Sequence, residues 1–243
     1  MKPWMKRFIL VFMSLIMLWG VSGCMNKKPN REAIIDRMIA HLEEKYGEEF
    51  VPLSFSSSNW AYGHDTLYAY PKKGSENDGF EVWGTKKDDG TYAIRDGYFG
   101  IYIKPEYEAV LSSFVSEILD EFKLYTDLGE GVLPDRLNKD TKIEDIYNKD
   151  ELFTSDTILF VNQKSAVDKD INESLREIGR KMQEKKLVGS IDLFLVKENQ
   201  FESIGLEHLN INPVKKKEYF TQNQITLWVK VNSLEIKEYG EWK

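Results

Sequence analysis

Aromatic side chains with polar tips are concentrated in one stretch of this 243-residue chain. Eleven aromatic residues lie in the 48 positions from Trp60 to Tyr107, whereas the chain average of 13% gives about six. Tyr and Trp rings bury large apolar faces, and their hydroxyl and indole N–H groups still form hydrogen bonds at the rim. Rings of this kind on one open sheet face would suit sugars, peptidoglycan fragments or a protein partner.

Strand alternation assigns these rings to faces, because successive side chains of a strand point to opposite sides. Three predicted strands, residues 66–70, 80–85 and 98–103, each carry Tyr or Trp rings on one face. The other faces carry aliphatic side chains together with Phe80 and Phe99. The candidate ligand face comprises Tyr68, Tyr70, Trp83, Tyr98 and Tyr102. The alternative is a purely structural role, because cross-strand aromatic pairs stabilise sheets by about 0.2 to 1 kcal/mol.

Signatures of catalysis are sparse. The three histidines, His41, His64 and His208, are far apart, and none belongs to a His-Glu-x-x-His zinc pattern. The sequence also lacks a Gly-x-Ser-x-Gly elbow and a phosphate-binding Gly-x-x-x-x-Gly-Lys loop. We therefore expect no cofactor, no metal ion and no catalytic residue.

Two sets of carboxylates need separate treatment. The segment from Asp168 to Asn172 resembles the start of a calcium loop, but Glu173 stands where the loop requires glycine. An acidic helix start, favoured by the helix dipole, is the better interpretation. Asp65, Asp78 and Asp96 are isolated in the sequence and would form a glycosidase pair only if the fold brought two of them together.

The N-terminal residues have the order of an export signal. Lys2, Lys6 and Arg7 precede an apolar run over residues 8–19. As a helix this run spans about 18 Å, which is short for a bilayer core of about 30 Å and typical of a signal peptide.

The apolar run ends in Val21-Ser22-Gly23-Cys24, which resembles the lipobox of bacterial lipoproteins at all four positions. The resemblance implies transfer of a diacylglyceryl group to the Cys24 thiol and cleavage between Gly23 and Cys24. The mature protein would then be held by its lipid on the extracytoplasmic face of the cell membrane. The alternative is an ordinary secretory signal followed by an incidental cysteine.

Charge excludes one class of partner. The chain has 33 basic and 40 acidic residues, and removal of residues 1–23 takes away three basic ones, so the mature net charge is -10. A surface of this sign repels a phosphate backbone, so nucleic acid is not an expected partner. The same surface would attract a basic protein. A further alternative function is therefore that of an immunity or inhibitor lipoprotein that binds a protein partner.

The periodicity divides the chain into a signal peptide (1–23), a lipidated cysteine with a short tether (24–30), and two halves (31–127 and 142–243). The first half is predicted as a helix at 31–46, strands at 49–55, 66–70, 80–85 and 98–103, and a helix at 105–122. The second half is predicted as a helix, a strand at 157–162, a helix at 168–186, a strand at 189–196 and a last strand at 224–231. This order predicts an α+β fold with helices packed on small antiparallel or mixed sheets. The pattern leaves open whether the halves share one core.

In composition, the mature chain resembles the small uncharacterised lipoproteins of low-GC Gram-positive bacteria, with the stretch from Tyr46 to Phe50 as its most distinctive local feature. This resemblance implies no activity. We expect a lipoprotein anchored to the membrane at Cys24, whose domain binds a cell-wall glycan or a protein without catalysing a reaction. The alternative is a cell-wall glycan hydrolase, which requires two carboxylates in one cleft.

Overall fold

The computed structural model of the chain describes residues 31–240 except residues 130 and 152. The predicted signal peptide, the lipobox with Cys24 and the tether at 24–30 lie outside the described residues. The helices are α1 (Arg31–Tyr46), α2 (Tyr98–Ser116), α3 (Ile171–Glu184) and α4 (Pro213–Tyr219). The strands are β1 (Phe50–Ser56), β2 (Asp65–Pro71), β3 (Phe80–Lys86), β4 (Tyr92–Asp96), β5 (Phe122–Leu128), β6 (Ser155–Asn162), β7 (Gly189–Val196), β8 (Ile225–Lys230) and β9 (Ser233–Glu238).

The first sheet is an antiparallel meander in the order β1-β2-β3-β4. Its inner face buries Leu67 and Ala69 of β2 together with Phe80 and Val82 of β3. α1 packs on this face through Met38, Leu42 and Tyr46, which follow one another at intervals of about one helical turn. The register of β1 against β2 shifts between Pro52 and Ser54. One face of the sheet is therefore committed to the core, as the alternation predicts.

The second sheet is mixed, in the order β5-β6-β7-β8-β9. Only β6 and β7 are parallel, because the α3 crossover connects them. α2 packs against β5, and α3 packs against β8 and β9. Leu159, Leu193 and Leu227 are buried on the helical side. The other side carries a separate apolar cluster in which Phe160 and Phe194 pack against Phe220.

The α+β prediction is confirmed, with helices on one antiparallel and one mixed sheet. α1 has the predicted bounds, and Gly47 follows it with a left-handed φ of 74°, as expected for a helix C-cap. Residues Ile35–Lys243 form one compact unit. Within residues 31–240, no helix has both the length and the hydropathy that a membrane span requires.

The prediction of a strand at residues 98–103 is wrong, because these residues form the first turns of α2. Tyr98, Phe99, Gly100 and Ile103 are all buried, since this end of the helix has neighbours on several sides. When a short segment is buried on several sides, the spacing of its apolar residues does not distinguish a helix from a strand. Pro105, expected at the start of the helix, lies in its interior.

Candidate functional site

The outer face of the first sheet carries polar-tipped aromatic side chains. Tyr68 and Tyr70 of β2 lie on the face opposite the buried Leu67 and Ala69. Register pairing places Tyr68 directly across from Glu81 of β3. Trp83 lies two residues further along β3 and therefore shares this face. Three of the five residues of the predicted ligand face are thus together.

Glu81 is the hydrogen-bonding centre of this outer face. The Tyr68 hydroxyl donates to Glu81 Oε1, and the Trp83 indole donates from Nε1 to Glu81 Oε2 at 2.8 Å. Tyr68 is 42% exposed, so the group it forms with Glu81 is reachable from solvent. The carboxylate keeps further lone pairs that can accept hydroxyl donors of a ligand.

One ring of the outer face is partly covered. His64 stacks on Trp83 with ring centroids 4.1 Å apart and an interplanar angle of 20°. Tyr62 in turn lies edge-on to His64 at 6.2 Å. His64 therefore covers part of the Trp83 ring. The other aromatic rings on the outer face are those of Tyr68 and Tyr70.

A cleft of about 300 Å³ borders the outer face at Tyr68 and Glu81. Another part of its wall is formed by Lys104 of α2 and Asp127 of β5, with the loop that follows β5. The residues that line the cleft thus include two acidic residues, one lysine and one tyrosine. Such a lining can bind a small polar ligand with several hydroxyl groups.

Glycines allow the start of α2 to form this wall. A Cβ atom on Gly100 would overlap the carbonyl oxygen of Leu128, and one on Gly97 would overlap that of Gly131. Both contacts are with backbone, which has little freedom to move aside. The close approach of the helix to the loop after β5 therefore requires residues without side chains.

We expect Gly100→Ala to lower the free energy of unfolding by about 1 to 3 kcal/mol through this overlap. Alanine gains about 1 kcal/mol in helix propensity, which offsets only part of the cost. Urea unfolding of the two proteins measures the difference. Gly63→Ala is the matched control, because a Cβ at Gly63 meets nothing within 4 Å. Equal stability of the two variants would contradict the overlap.

The remaining two predicted face residues lie elsewhere, because both belong to α2. Tyr98 is buried in the core of the first sheet, with its ring 4.8 Å from those of Tyr46 and Phe50. Its hydroxyl donates to Glu48 at 2.7 Å. Tyr102 is partly exposed on the helix and lies beside Tyr46. Neither ring is part of the outer sheet face.

The three isolated carboxylates each stabilise the fold. Asp96 is fully buried and accepts from Lys45 and Tyr46. Asp65 accepts from Ser58 N and from the Tyr92 hydroxyl. Asp78 accepts from the backbone and side chain of Ser75 in a turn. Each has its own set of partners in a different place, so these contacts give no catalytic pair among the three.

The acidic helix start is also confirmed, since Asp170 caps α3 by accepting from Glu173 N at 3.1 Å. Within the described residues, no three His, Cys, Asp or Glu side chains are placed to hold a metal ion.

Acidic side chains gather on the outer face of the second sheet. Asp127 of β5 lies directly across from Asp156 of β6, and Ser190 of β7 donates to Asp156 at 2.6 Å. Asp192 lies two residues beyond Ser190, and burial followed by the nearby Asp156 raises its pKa. A basic protein would be attracted to this face, and the immunity or inhibitor interpretation stays a prediction.

Sequence reasoning missed several residues of the site. Alternation placed Glu81 beside Trp83 on the outer face, but a single carboxylate carried no separate signal. Lys104 and Asp127 come from a helix and a strand that were not predicted at these positions. Only the packing of α2 against β5 brings them to the cleft.

No protein-family model matches the chain, and no curated protein sequence matches it either. A crystal structure of a DUF5037 family protein from Ruminococcus gnavus ATCC 29149 is similar to it, with a TM-score of 0.39 and 16% sequence identity. The match covers 86% of this chain and 93% of that chain. A similarity of this size carries no conclusion about function.

Proposed function

We propose that this chain is a lipoprotein, anchored to the extracytoplasmic face of the cell membrane at Cys24, that binds a cell-wall glycan without catalysis. The observation that supports glycan binding is the shared outer face of Tyr68, Tyr70 and Glu81 beside a cleft of about 300 Å³. The lipobox at residues 21–24 supports the anchor.

The chemistry of a sugar matches this face. A pyranose ring has an apolar side of C–H bonds that packs on an aromatic ring, and hydroxyl groups at its rim. Tyr68 supplies such a ring at 42% exposure. Glu81 supplies acceptors, and Lys104, which also lines the cleft, supplies donors for carbonyl or carboxylate groups of a peptidoglycan fragment.

Binding of the processed protein, held in mild detergent, to purified cell-wall fragments tests the glycan proposal. We expect Tyr68→Ala to weaken binding about two- to tenfold, since one aromatic contact contributes about 0.5 to 1.5 kcal/mol. Glu81→Gln should weaken it as well, because the amide loses acceptor capacity and charge.

Tyr102→Ala is the matched control for Tyr68→Ala. Both tyrosines are partly exposed, but Tyr102 lies on α2, away from the outer sheet face. Retention on wall fragments that falls equally in both variants would contradict a site on the outer face. Absence of wall binding in the unmodified protein would refute glycan recognition altogether.

The second candidate function is glycan hydrolysis. It is favoured by one observation, that Glu81 and Asp127 line the same cleft. Release of reducing sugars from wall fragments by the unmodified protein, and its loss in both Glu81→Gln and Asp127→Asn, would support hydrolysis. Binding without sugar release supports the non-catalytic proposal.

The anchor has its own test. A Cys24→Ser variant should remain unprocessed by the lipoprotein peptidase and should carry no lipid, because only the thiol accepts the diacylglyceryl group. Labelling with a radioactive fatty acid and the size of the processed chain measure both steps. Normal processing and membrane retention of Cys24→Ser would refute the lipobox assignment.

A further inference from the structure

The loop between β1 and β2 presents an apolar ring to solvent. Trp60 is 99% exposed and Tyr62 is 63% exposed. A tryptophan in a water-soluble surface is usually shielded on at least one side, because its large apolar area is costly to hydrate. This pair therefore requires an explanation other than packing within the unit.

The loop holds the ring outward by a defined turn. Asn59 N donates to the carbonyl of Tyr62 at 2.9 Å, and the Asn59 side chain accepts from Ala61 N and Tyr62 N. The base of the loop is fixed because Ser58 N donates to the buried Asp65 at 2.7 Å. Trp60 thus sits at the tip of a hydrogen-bonded turn.

The tip lies at the same end of the first sheet as the Arg37 turn of α1. At the far end of α1, Tyr46 contacts Phe50 and Asp96, where β1 begins and β4 ends. Towards its beginning, Arg37 lies over the ring of Tyr92, where β4 begins. The hydroxyl of Tyr92 donates to Asp65, the first residue of β2. α1 therefore runs antiparallel to β1, and its earlier turns lie towards the Trp60 loop.

Chain length limits how far this end can be from the lipid. Six residues, Met25 to Asn30, separate Cys24 from α1, and they span about 20 Å when fully extended. Tryptophan and tyrosine are the residues that favour the boundary between lipid and water, where the ring is shielded and its polar tip stays hydrated.

We infer that the Trp60–Tyr62 loop is a second membrane contact, whose aromatic rings insert into the headgroup region of the bilayer beside the Cys24 lipid. This inference rests on the proposed anchor. The two acyl chains of the diacylglyceryl group already attach the protein to the bilayer, but a single lipidated residue leaves its orientation free. The loop contact would hold the outer sheet face at a fixed orientation to the membrane.

Quenching by brominated lipid tests the insertion. The full chain is expressed, processed and reconstituted into vesicles of phosphatidylglycerol and phosphatidylcholine with bromine on the acyl chains near the headgroups. Bromine quenches only nearby indoles. We expect Trp60→Phe to remove most of the bromine-dependent loss of tryptophan emission, since the ring that enters the bilayer is then absent.

Trp228→Phe is the matched control, because Trp228 lies on β8 of the second sheet and is half-buried. It should leave the bromine-dependent quenching in place. Quenching that is the same in Trp60→Phe as in the unmodified protein would overturn the inference. If Trp60→Phe instead lost self-association measured by cross-linking, the loop would be a contact between copies, which also overturns it.

Co-flotation with the vesicles separates this inference from the anchor. Protein that floats with vesicles but shows no Trp60-dependent quenching refutes the loop contact and leaves the anchor standing. Unmodified, processed protein that does not float refutes the anchor and the loop contact together.

Discussion

Replacing Asp96 by alanine is expected to lower the free energy of unfolding by about 3 to 5 kcal/mol, which is enough to unfold many domains. Asp96 is fully buried and accepts from Lys45 Nζ and from the Tyr46 hydroxyl, both at 2.7 Å. It also accepts from Tyr98 N at the start of α2. Its loss leaves the nearly buried Lys45 ammonium without its main counter-charge.

Asp135→Ala is the matched control, because Asp135 pairs with the same lysine at 3.6 Å but is 63% exposed. We expect it to change stability by about 0 to 1 kcal/mol. Urea unfolding gives both values. Since Asp96→Ala could fail to fold, Asp96→Asn is measured beside it and should fall between the two. Equal effects of Asp96→Asn and Asp135→Ala would contradict the role of the buried charge.

The second large effect is loss of stability at alkaline pH. Burial, and then the Asp96 carboxylate, raises the pKa of Tyr46 far above the usual tyrosine range. Burial raises the pKa of Tyr107 to about 12. Tyr92 and Tyr98 are raised as well, first by burial and then by hydrogen bonds to Asp65 and Glu48.

The sign follows from proton binding. Above pH about 10, the unfolded chain loses its tyrosine protons while the folded chain keeps these four. The unfolded state then binds fewer protons, so the free energy of unfolding falls as the pH rises. For each nearly buried tyrosine, such as Tyr46 or Tyr107, the free energy of unfolding falls by about 1 kcal/mol per pH unit. This fall continues from pH about 10 up to the pKa of that tyrosine in the folded state. Below pH 10 this contribution to stability is fully present.

Tyrosinate absorbance and circular dichroism, recorded together during an alkaline titration, measure this effect. We expect part of the absorbance change to appear only as the fold is lost, well above pH 10. If all twelve tyrosines ionised near pH 10 while the circular dichroism stayed native, the proposed burial of these hydroxyls would be wrong.

The predictable parts of the fold are those with one buried side. α1 buries Met38, Leu42 and Tyr46 on one stripe, so its period of 3.6 residues was visible and its bounds were correct. In β2 and β3 the buried Leu67 and Val82 alternate with Tyr68 and Trp83 on the outside. The aromatic part of the candidate site could therefore be read from alternation.

The parts that escaped prediction depend on distant neighbours. The first turns of α2 have no single buried stripe, because they lie against the first sheet on one side and against Leu128 on another. β5 and β9 are the outermost strands of the second sheet, and their apolar pattern is interrupted by charged residues. Lys104 and Asp127 reach the cleft only through this packing, so no local pattern could identify them.

Strands at the border of a sheet expose backbone groups with which another chain can pair, and both sheets limit this risk of aggregation. In β1, Pro52 has no amide hydrogen, and the register shift beside it interrupts the regular pairing of β1 with β2. At β4, Leu133 N already bonds to the carbonyl of Asp96. In β9, the charged Glu235 and Lys237 alternate with Leu234 and Ile236. Strand addition between copies is therefore disfavoured at these borders, even where many copies are crowded into one plane.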